Sequence, residues 1–273
     1  MTQVLKKSDN LQILISTKGK NDLSFLDKMF KNCKPMDYSI IVVDQSEYEK
    51  DLSTISDKFD IKYYKIQANG LSNSRNFAIS KSSGSICLLC DDDVIYEKDF
   101  SEIIINSFDQ NDSDVITYYA KNDNGSLFKN YPKLINHNYK SISYVNSFLI
   151  AFKREKIVLN KIKFDPLFGL GALFETADEY VFLRNILEKK LRIKSCTKII
   201  LTHPTESSGQ DAGIDKNIFA RGAIFYKFYG YLSYFKLLHH IYLLKKKNMI
   251  TFNQIISKLA IGLNGIKKYR SLK

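Results

Sequence analysis

The apolar residues fall into short runs broken by polar turns, with helical spacing between them. Leu11–Ser16, Tyr38–Val43, Ile61–Ile66, Ser85–Cys90, Val115–Ala120, Tyr144–Phe152 and Ile199–Leu201 are β-branched or continuous apolar stretches of strand length. Between the first two, Leu23, Leu26, Met29 and Phe30 recur at helical spacing behind Asn21 and Asp22, either of which can cap a helix. A short helical stretch is expected around Leu52–Lys58, a second helix from a Ser72 cap to about Ser82, and a third over Phe100–Phe108. Ala177–Lys189 reads as a helix with Tyr180, Val181, Leu183 and Leu187 toward the core, while 121–140, rich in Asn, Lys and Gly, reads as a long loop. Alternating strands and helices predict βαβ units: an α/β fold with a mostly parallel central sheet. Three loops then follow strand carboxyl ends: Thr17-Lys-Gly-Lys20, Asp44-Gln-Ser46 and Asp91-Asp-Asp93. In open α/β sheets that edge forms the ligand crevice, so these loops should converge there, Thr17 and Asp44 among them.

Three adjacent carboxylates, Asp91, Asp92 and Asp93, repel one another and invite a cation. A divalent metal holding a phosphorylated substrate fits a strand end of this kind, and a solvated acidic turn is the plainer alternative. The chain has 273 residues, 44% of them hydrophobic and 26% charged, with 12 Gly and 4 Pro, so it can bury a core of ordinary size. No window reaches the roughly 18 uninterrupted apolar residues of a membrane span. The N-terminal Met-Thr-Gln-Val-Leu-Lys-Lys lacks the apolar core of a signal peptide, and a cytoplasmic location is expected. The 4 cysteines make no disulfide framework. Cys87 and Cys90 have half the spacing of a zinc site, but on a strand they face opposite sides, so they are expected in the core.

The formal net charge of +12 is unevenly placed. Residues 216–273 hold 12 Lys and Arg and no acid, which leaves 29 basic residues against 29 acidic ones in the rest. A catalytic-type body (1–205) and a basic, aromatic helical C-terminal region (206–273) are therefore expected as separate units. Helices of that composition suit an anionic membrane surface; a helical subdomain with solvated lysines is the alternative. No nucleic-acid-reading module is visible, and none is expected.

Several motifs in order resemble those of family 2 glycosyltransferases with the GT-A fold. They are Val43-Asp-Gln-Ser46, Gly70-Leu-Ser-Asn-Ser-Arg-Asn76, Leu89-Cys-Asp-Asp-Asp93, and Phe168-Gly-Leu-Gly-Ala172 followed by Ala177-Asp-Glu-Tyr180. The resemblance spans about residues 11–205. It implies a nucleotide-sugar-binding α/β sandwich and an inverting, metal-dependent glycosyltransferase of hexosyltransferase type, using Mn2+ or Mg2+ and a donor of the UDP-sugar class. By the resemblance, Asp44 contacts the nucleobase, Arg75 lies near the nucleotide, Asp91 lies near the ribose, and Asp93 holds the metal. Glu179 matches the family's general base, although Ala-Asp-Glu stands here for Gly-Glu-Asp, which keeps Asp178 as the alternative. The Gln-x-x-Arg-Trp motif of processive synthases is absent from this Trp-free chain, which favours single additions. His203 matches a histidine that faces metal or diphosphate in many relatives; as a lone histidine it can equally be structural. The family often glycosylates lipid-linked saccharides, which implies a saccharide or lipid-linked acceptor in bacterial surface polysaccharide or glycolipid assembly.

On their own chemistry, Asp178 and Glu179 are helix neighbours about 100° apart, so one of them is expected to enter the crevice as base. A guanidinium at Arg75 suits diphosphate oxygens. Asp92 is expected to be a turn residue without a direct role. Thr205–Gly213 reads as a mobile loop able to close over donor or acceptor. Two rivals are weaker. A sugar nucleotidyltransferase needs a glycine-rich loop after the first strand, where Ser16-Thr-Lys-Gly-Lys20 has a single Gly. A catalytically silent protein docking on anionic lipid would never turn over a donor.

Overall fold

The computed structural model describes residues 10–34, 37–48, 58–132, 135–204 and 212–273. The helical stretch around Leu52–Lys58 lies, apart from Lys58, outside the described residues, as do most of the 205–213 loop and the N-terminal segment.

Eight strands form one sheet: β1 Leu11–Thr17, β2 Ser39–Asp44, β3 Ile61–Lys65, β4 Ile86–Asp91, β5 Ile95–Tyr96, β6 Val115–Lys121, β7 Ile150–Lys153 and β8 Ile193–Thr202. Their order is β3-β2-β1-β4-β7-β6-β8-β5. β1, β2, β3 and β4 run parallel, β6 and β8 are parallel, and β7 and β5 pair antiparallel with their neighbours. The chain winds outward from β1 through β2 to β3 and then returns to β1's other edge as β4. The ends of β1 and β4 therefore flank a topological switch point.

Alternate strand residues feed two cores, as the pleat requires. Ile13, Ile15, Val42, Leu88 and Cys90 face one layer with α1 (Phe25–Met29) and α3 (Phe100–Gln110). Leu14, Ile41, Val43, Cys87 and Leu89 face the other with α2 (Leu71–Lys81), α4 (Arg154–Leu159) and α5 (Asp178–Glu188). Cys87 and Cys90 thus sit on opposite faces, buried and unbridged.

Several local expectations are corrected. α1 begins at Phe25 rather than behind a capping Asn21 or Asp22; the Asp22 carboxylate instead accepts from the backbone N–H and hydroxyl of Ser24. Ser72 does not cap α2. Gly70 does, at φ +93°, a left-handed conformation that glycine adopts without strain, and the buried Ser72 hydroxyl donates to the Phe168 carbonyl at 2.7 Å. Tyr144–Phe152 is not one strand: tight turns occupy 141–144 and 147–149, and the strand is confined to Ile150–Lys153. The last strand is ten residues rather than three, because pairing with β6 carries it through the polar Lys194, Ser195, Thr197 and Lys198. β5 and α4 were too short to show a period.

Beyond the sheet, α6 (Asp215–Tyr229), α7 (Ser233–Lys246) and α8 (Ile255–Arg270) pack together around Ile218, Leu237, Ile241, Leu244 and Ile266. Gly222 and Gly265 let α6 and α8 approach so closely that a Cβ at either would overlap a facing carbonyl, of Gly262 or Phe219. A third cluster joins Ala220, Ala223, Ile224 and Tyr269 to Phe168, Phe174, Ala177 and Val181, seating these helices beside the start of α5.

Candidate active site

Strand register sets the frame of the crevice. Thr17 lies opposite Asp44, and Ser16 opposite Asp91, so three strand ends present their side chains side by side. The Gln45 N–H donates to the Thr17 carbonyl at 3.0 Å and the Gly19 N–H to Ser46 Oγ at 2.9 Å, tying the first two loops together. Asp92 binds the third loop to the first: its carboxylate accepts from the Thr17 hydroxyl at 2.5 Å and lies 3.5 Å from Lys20 Nζ. The Thr17 hydroxyl is therefore turned toward Asp92. Asp44 is fully buried, accepting from Tyr63 Oη at 2.9 Å and from the Ser46 N–H at 2.8 Å.

Arg75 pins the centre. The small residues of α2 let it lie close to the strand ends: the Ser74 hydroxyl donates to Ser16 Oγ at 2.8 Å, and Gly70 meets Gly171 across the crevice wall. The Arg75 guanidinium is buried over the Phe164 ring. Its Nη2 donates to Asp91 Oδ1 at 2.9 Å and to Ser147 Oγ at 2.7 Å, and its Nη1 to Asp178. Burial pulls its pKa down, but Asp178, Asp91 and Glu179 outweigh that and the net shift is upward. Rather than standing open to a diphosphate, the guanidinium joins two carboxylates more than 80 residues apart in sequence.

The two neighbouring acids of α5 differ in their partners. Ala177, at φ +63°, turns the chain so that Asp178 enters the buried pair with Arg75, and Gly169 leaves room for it: a Cβ there would lie 3.0 Å from the Asp178 carboxyl carbon. Among the described residues no ion pair of that kind reaches Glu179, whose side-chain hydrogen bond is with Asp178. Burial first and Asp178 second push its carboxyl up to about 8, against a smaller lowering by its own backbone amide and Arg75. Two cations share its surroundings: Lys129 from the 121–140 loop, drawn down to about 8 by burial, and Arg221 from α6, also lowered by burial. Glu179 opposes the shift in both.

Asp93 faces His203 on the other side. His203 is buried between the rings of Phe148 and Phe128, at centroid distances of 4.5 and 4.9 Å. Its Nδ1 lies 2.7 Å from the Pro204 carbonyl, which can only accept, so Nδ1 carries a proton. Its Nε2 faces Asp93 Oδ1, 3.6 Å away. Burial raises the Asp93 pKa, opposed by His203 and reinforced by Asp91 and Asp92. Among the described residues no three His, Cys, Asp or Glu side chains form a metal cage. A metal there would take Asp93 and His203 from the chain and its remaining ligands from phosphate oxygens and water.

Residues 13–180 match the family model described as Glycosyl transferase family 2. The chain belongs to glycosyltransferase family 2. Among curated proteins none matches this glycosyltransferase significantly in sequence. Among solved structures it is similar to residues 1–349 of Staphylococcus aureus TarS, with a TM-score of 0.65 and 14% identity over 96% of this chain and 83% of that one. The same portion of TarS in complex with UDP-GlcNAc gives a TM-score of 0.67 at 14% identity, with the same coverage. Against the longer TarS structure the TM-score is 0.60 at 17% identity, over 80% of this chain and 39% of that one. At these identities the likeness is one of fold, the GT-A sandwich.

The structure gathers the residues expected at the glycosyltransferase's site into one crevice with two sides. Arg75 is bonded to Asp91 and Asp178, Thr17 to Asp92, and Asp44 to Tyr63 and Ser46, while Asp93 faces His203. Sequence reasoning missed Asp92 as a tie, Ser147 as the third Arg75 partner, and the cations Lys129 and Arg221. Lys129 lies in a stretch without periodicity, and Arg221 looks like any other base of the C-terminal region. No spacing signal marks either.

Proposed function

We propose that the glycosyltransferase moves a sugar from a nucleotide-sugar of the UDP class to an acceptor hydroxyl, with inversion at the anomeric carbon. The observation that carries this reading is the unequal treatment of the two α5 acids: Arg75 takes Asp178 and leaves Glu179 with a raised affinity for a proton. Glu179 accepts the proton of the acceptor hydroxyl while its oxygen attacks the anomeric carbon from the face opposite the leaving group. The bond from that carbon to the diphosphate oxygen breaks, and the nucleoside diphosphate departs with the electron pair. Asp44 and Asp91 hold the nucleoside. Arg75 acts through Asp91 and Asp178 as a positioning residue.

Asp93 and His203 would hold Mn2+ or Mg2+, which when bound offsets the negative charge developing on the diphosphate. The UDP class draws support from the TarS structures with UDP-GlcNAc and with UDP. We place the reaction in bacterial surface polysaccharide or glycolipid assembly on the cytoplasmic face of the membrane, with residues 206–273 as the unit on the acceptor and membrane side. The excess of basic residues there supports that placement.

The test is UDP release from a panel of UDP-sugars with Mn2+, for the wild type, Glu179→Gln and Asp93→Ala. Loss of turnover in Glu179→Gln and loss of Mn2+ stimulation in Asp93→Ala are expected. Turnover unchanged by Asp93→Ala and EDTA together would refute the metal assignment, and full activity in Glu179→Gln would refute the base.

A further inference from the structure

α7 and α8 are apolar on two sides. On α7, Leu237, Ile241 and Leu244 are buried against the other helices, while Phe235, Leu238 and Tyr242 form a second stripe facing solvent. Phe235 is 72% exposed. On α8, Ile266 and Tyr269 face inward, and Phe252, just before the helix, Ile256 and Leu263 line the outside, with Phe252 76% and Ile256 81% exposed. Spacings of three, four and seven make these continuous stripes rather than scattered residues. Each stripe runs into cations. Lys245, Lys246 and Lys247 close α7. Lys267 and Lys268 follow Leu263 on α8 and line an open groove with Phe219, Asn264 and Ser271.

We infer that the outer faces of α7 and α8 dock on an anionic lipid bilayer, the apolar stripes entering the headgroup boundary and the lysines reaching lipid phosphates. The charge decides the occupant. Residues 216–273 contain no acid, so a second copy laid on this face would set like charges against one another. An anionic bilayer satisfies both features at once: lysine stems lie along apolar surface while their ammonium groups reach anionic headgroups. Among the described residues no helix is long and apolar enough to cross a membrane, so the contact is with the surface. The inference rests on the reading of residues 206–273 as the membrane side of a glycosyltransferase, and it names the faces and the lipid charge.

The chain has no tryptophan, so one introduced residue reports its own surroundings. Phe235→Trp and Ile256→Trp, with Tyr48→Trp on the body as control, are titrated with phosphatidylcholine vesicles with and without phosphatidylglycerol. Blue-shifted emission at 235 and 256 with anionic vesicles alone, and none at 48, is expected. Replacing Lys245, Lys246 and Lys247 by Gln should weaken vesicle affinity on the order of 100-fold. No shift at 235 and 256, an equal shift at 48, or equal binding to neutral vesicles overturns the inference. So does a shift that appears without lipid as protein concentration rises, which marks self-association. UDP release measured on the same proteins separates the two readings. Vesicle binding without donor turnover refutes the transferase reading alone, and turnover without vesicle binding refutes the membrane inference alone.

Discussion

Glu179→Gln keeps the side chain's size and its place in the first turn of α5 but removes the carboxyl that burial and Asp178 hold at about 8. The ordinary value is 4.5, so the folded protein favours the protonated form by on the order of 3–5 kcal/mol. A carboxyl raised on folding contributes stability that is fully present below its unfolded value and is lost as pH rises through its folded one. Wild type should therefore lose stability between about pH 4.5 and 8 relative to Glu179→Gln, so that the variant melts higher at pH 9, by on the order of 10 °C, and close to wild type at pH 4. Function moves the other way. A base must be ionised to accept a proton, so wild-type kcat/KM should climb with pH and level off above about 8, and Glu179→Gln should lose roughly 10²–10⁴-fold. The assays are melting curves and UDP release at matched pH values. A flat wild-type profile, a melting difference that ignores pH, or a variant retaining a tenth of the activity would each refute the reasoning.

Other substitutions test the frame. Arg75→Met leaves Asp91 and Asp178 without their shared cation and should cost about 3–5 kcal/mol in denaturant titrations, whereas Ser147→Ala should cost only about 1 kcal/mol. His203→Phe retains an aromatic ring between Phe128 and Phe148 but removes the Nε2 facing Asp93, so it should melt within a few degrees of wild type and lose Mn2+ binding, read by calorimetry with UDP present. Gly222→Ala places a methyl against the Gly262 carbonyl and should cost about 1–3 kcal/mol or more by forcing α6 and α8 apart, with a lower melting temperature as the readout.

The sheet and the strand-end acids were legible because each rests on local chemistry. A buried parallel strand must be apolar throughout, so its end is marked wherever charge begins, at Thr17-Lys18, Asp44 and Asp91. Where a strand is half-exposed that mark disappears: β8 carries exposed Thr197 and Lys198 between buried Ile193 and Ile200, and only Ile199–Leu201 stood out. Caps misled for a related reason. Ser72 has a capping side chain, but the close approach of Gly70 to Gly171 starts the helix two residues earlier and gives the Ser72 hydroxyl to Phe168.

The acid pair shows what helix geometry can decide and what it cannot. A turn of about 100° between Asp178 and Glu179 says that they face differently, not which one does chemistry. The distinction comes from a partner 103 residues away, since Arg75 neutralises Asp178 and binds Asp91 through the same guanidinium. With Asp178 bound to Arg75, Glu179 is left beside it, and burial first and Asp178 second raise its affinity for a proton. Lys129 and Arg221 pull the other way from a loop and from α6, elements whose sequence holds no sign of the crevice, because a neighbouring cation favours the ionised carboxylate. The basicity of Glu179 is therefore a property of four separate segments meeting, and removing Arg75 should change the pH profile of turnover as well as the stability of the fold.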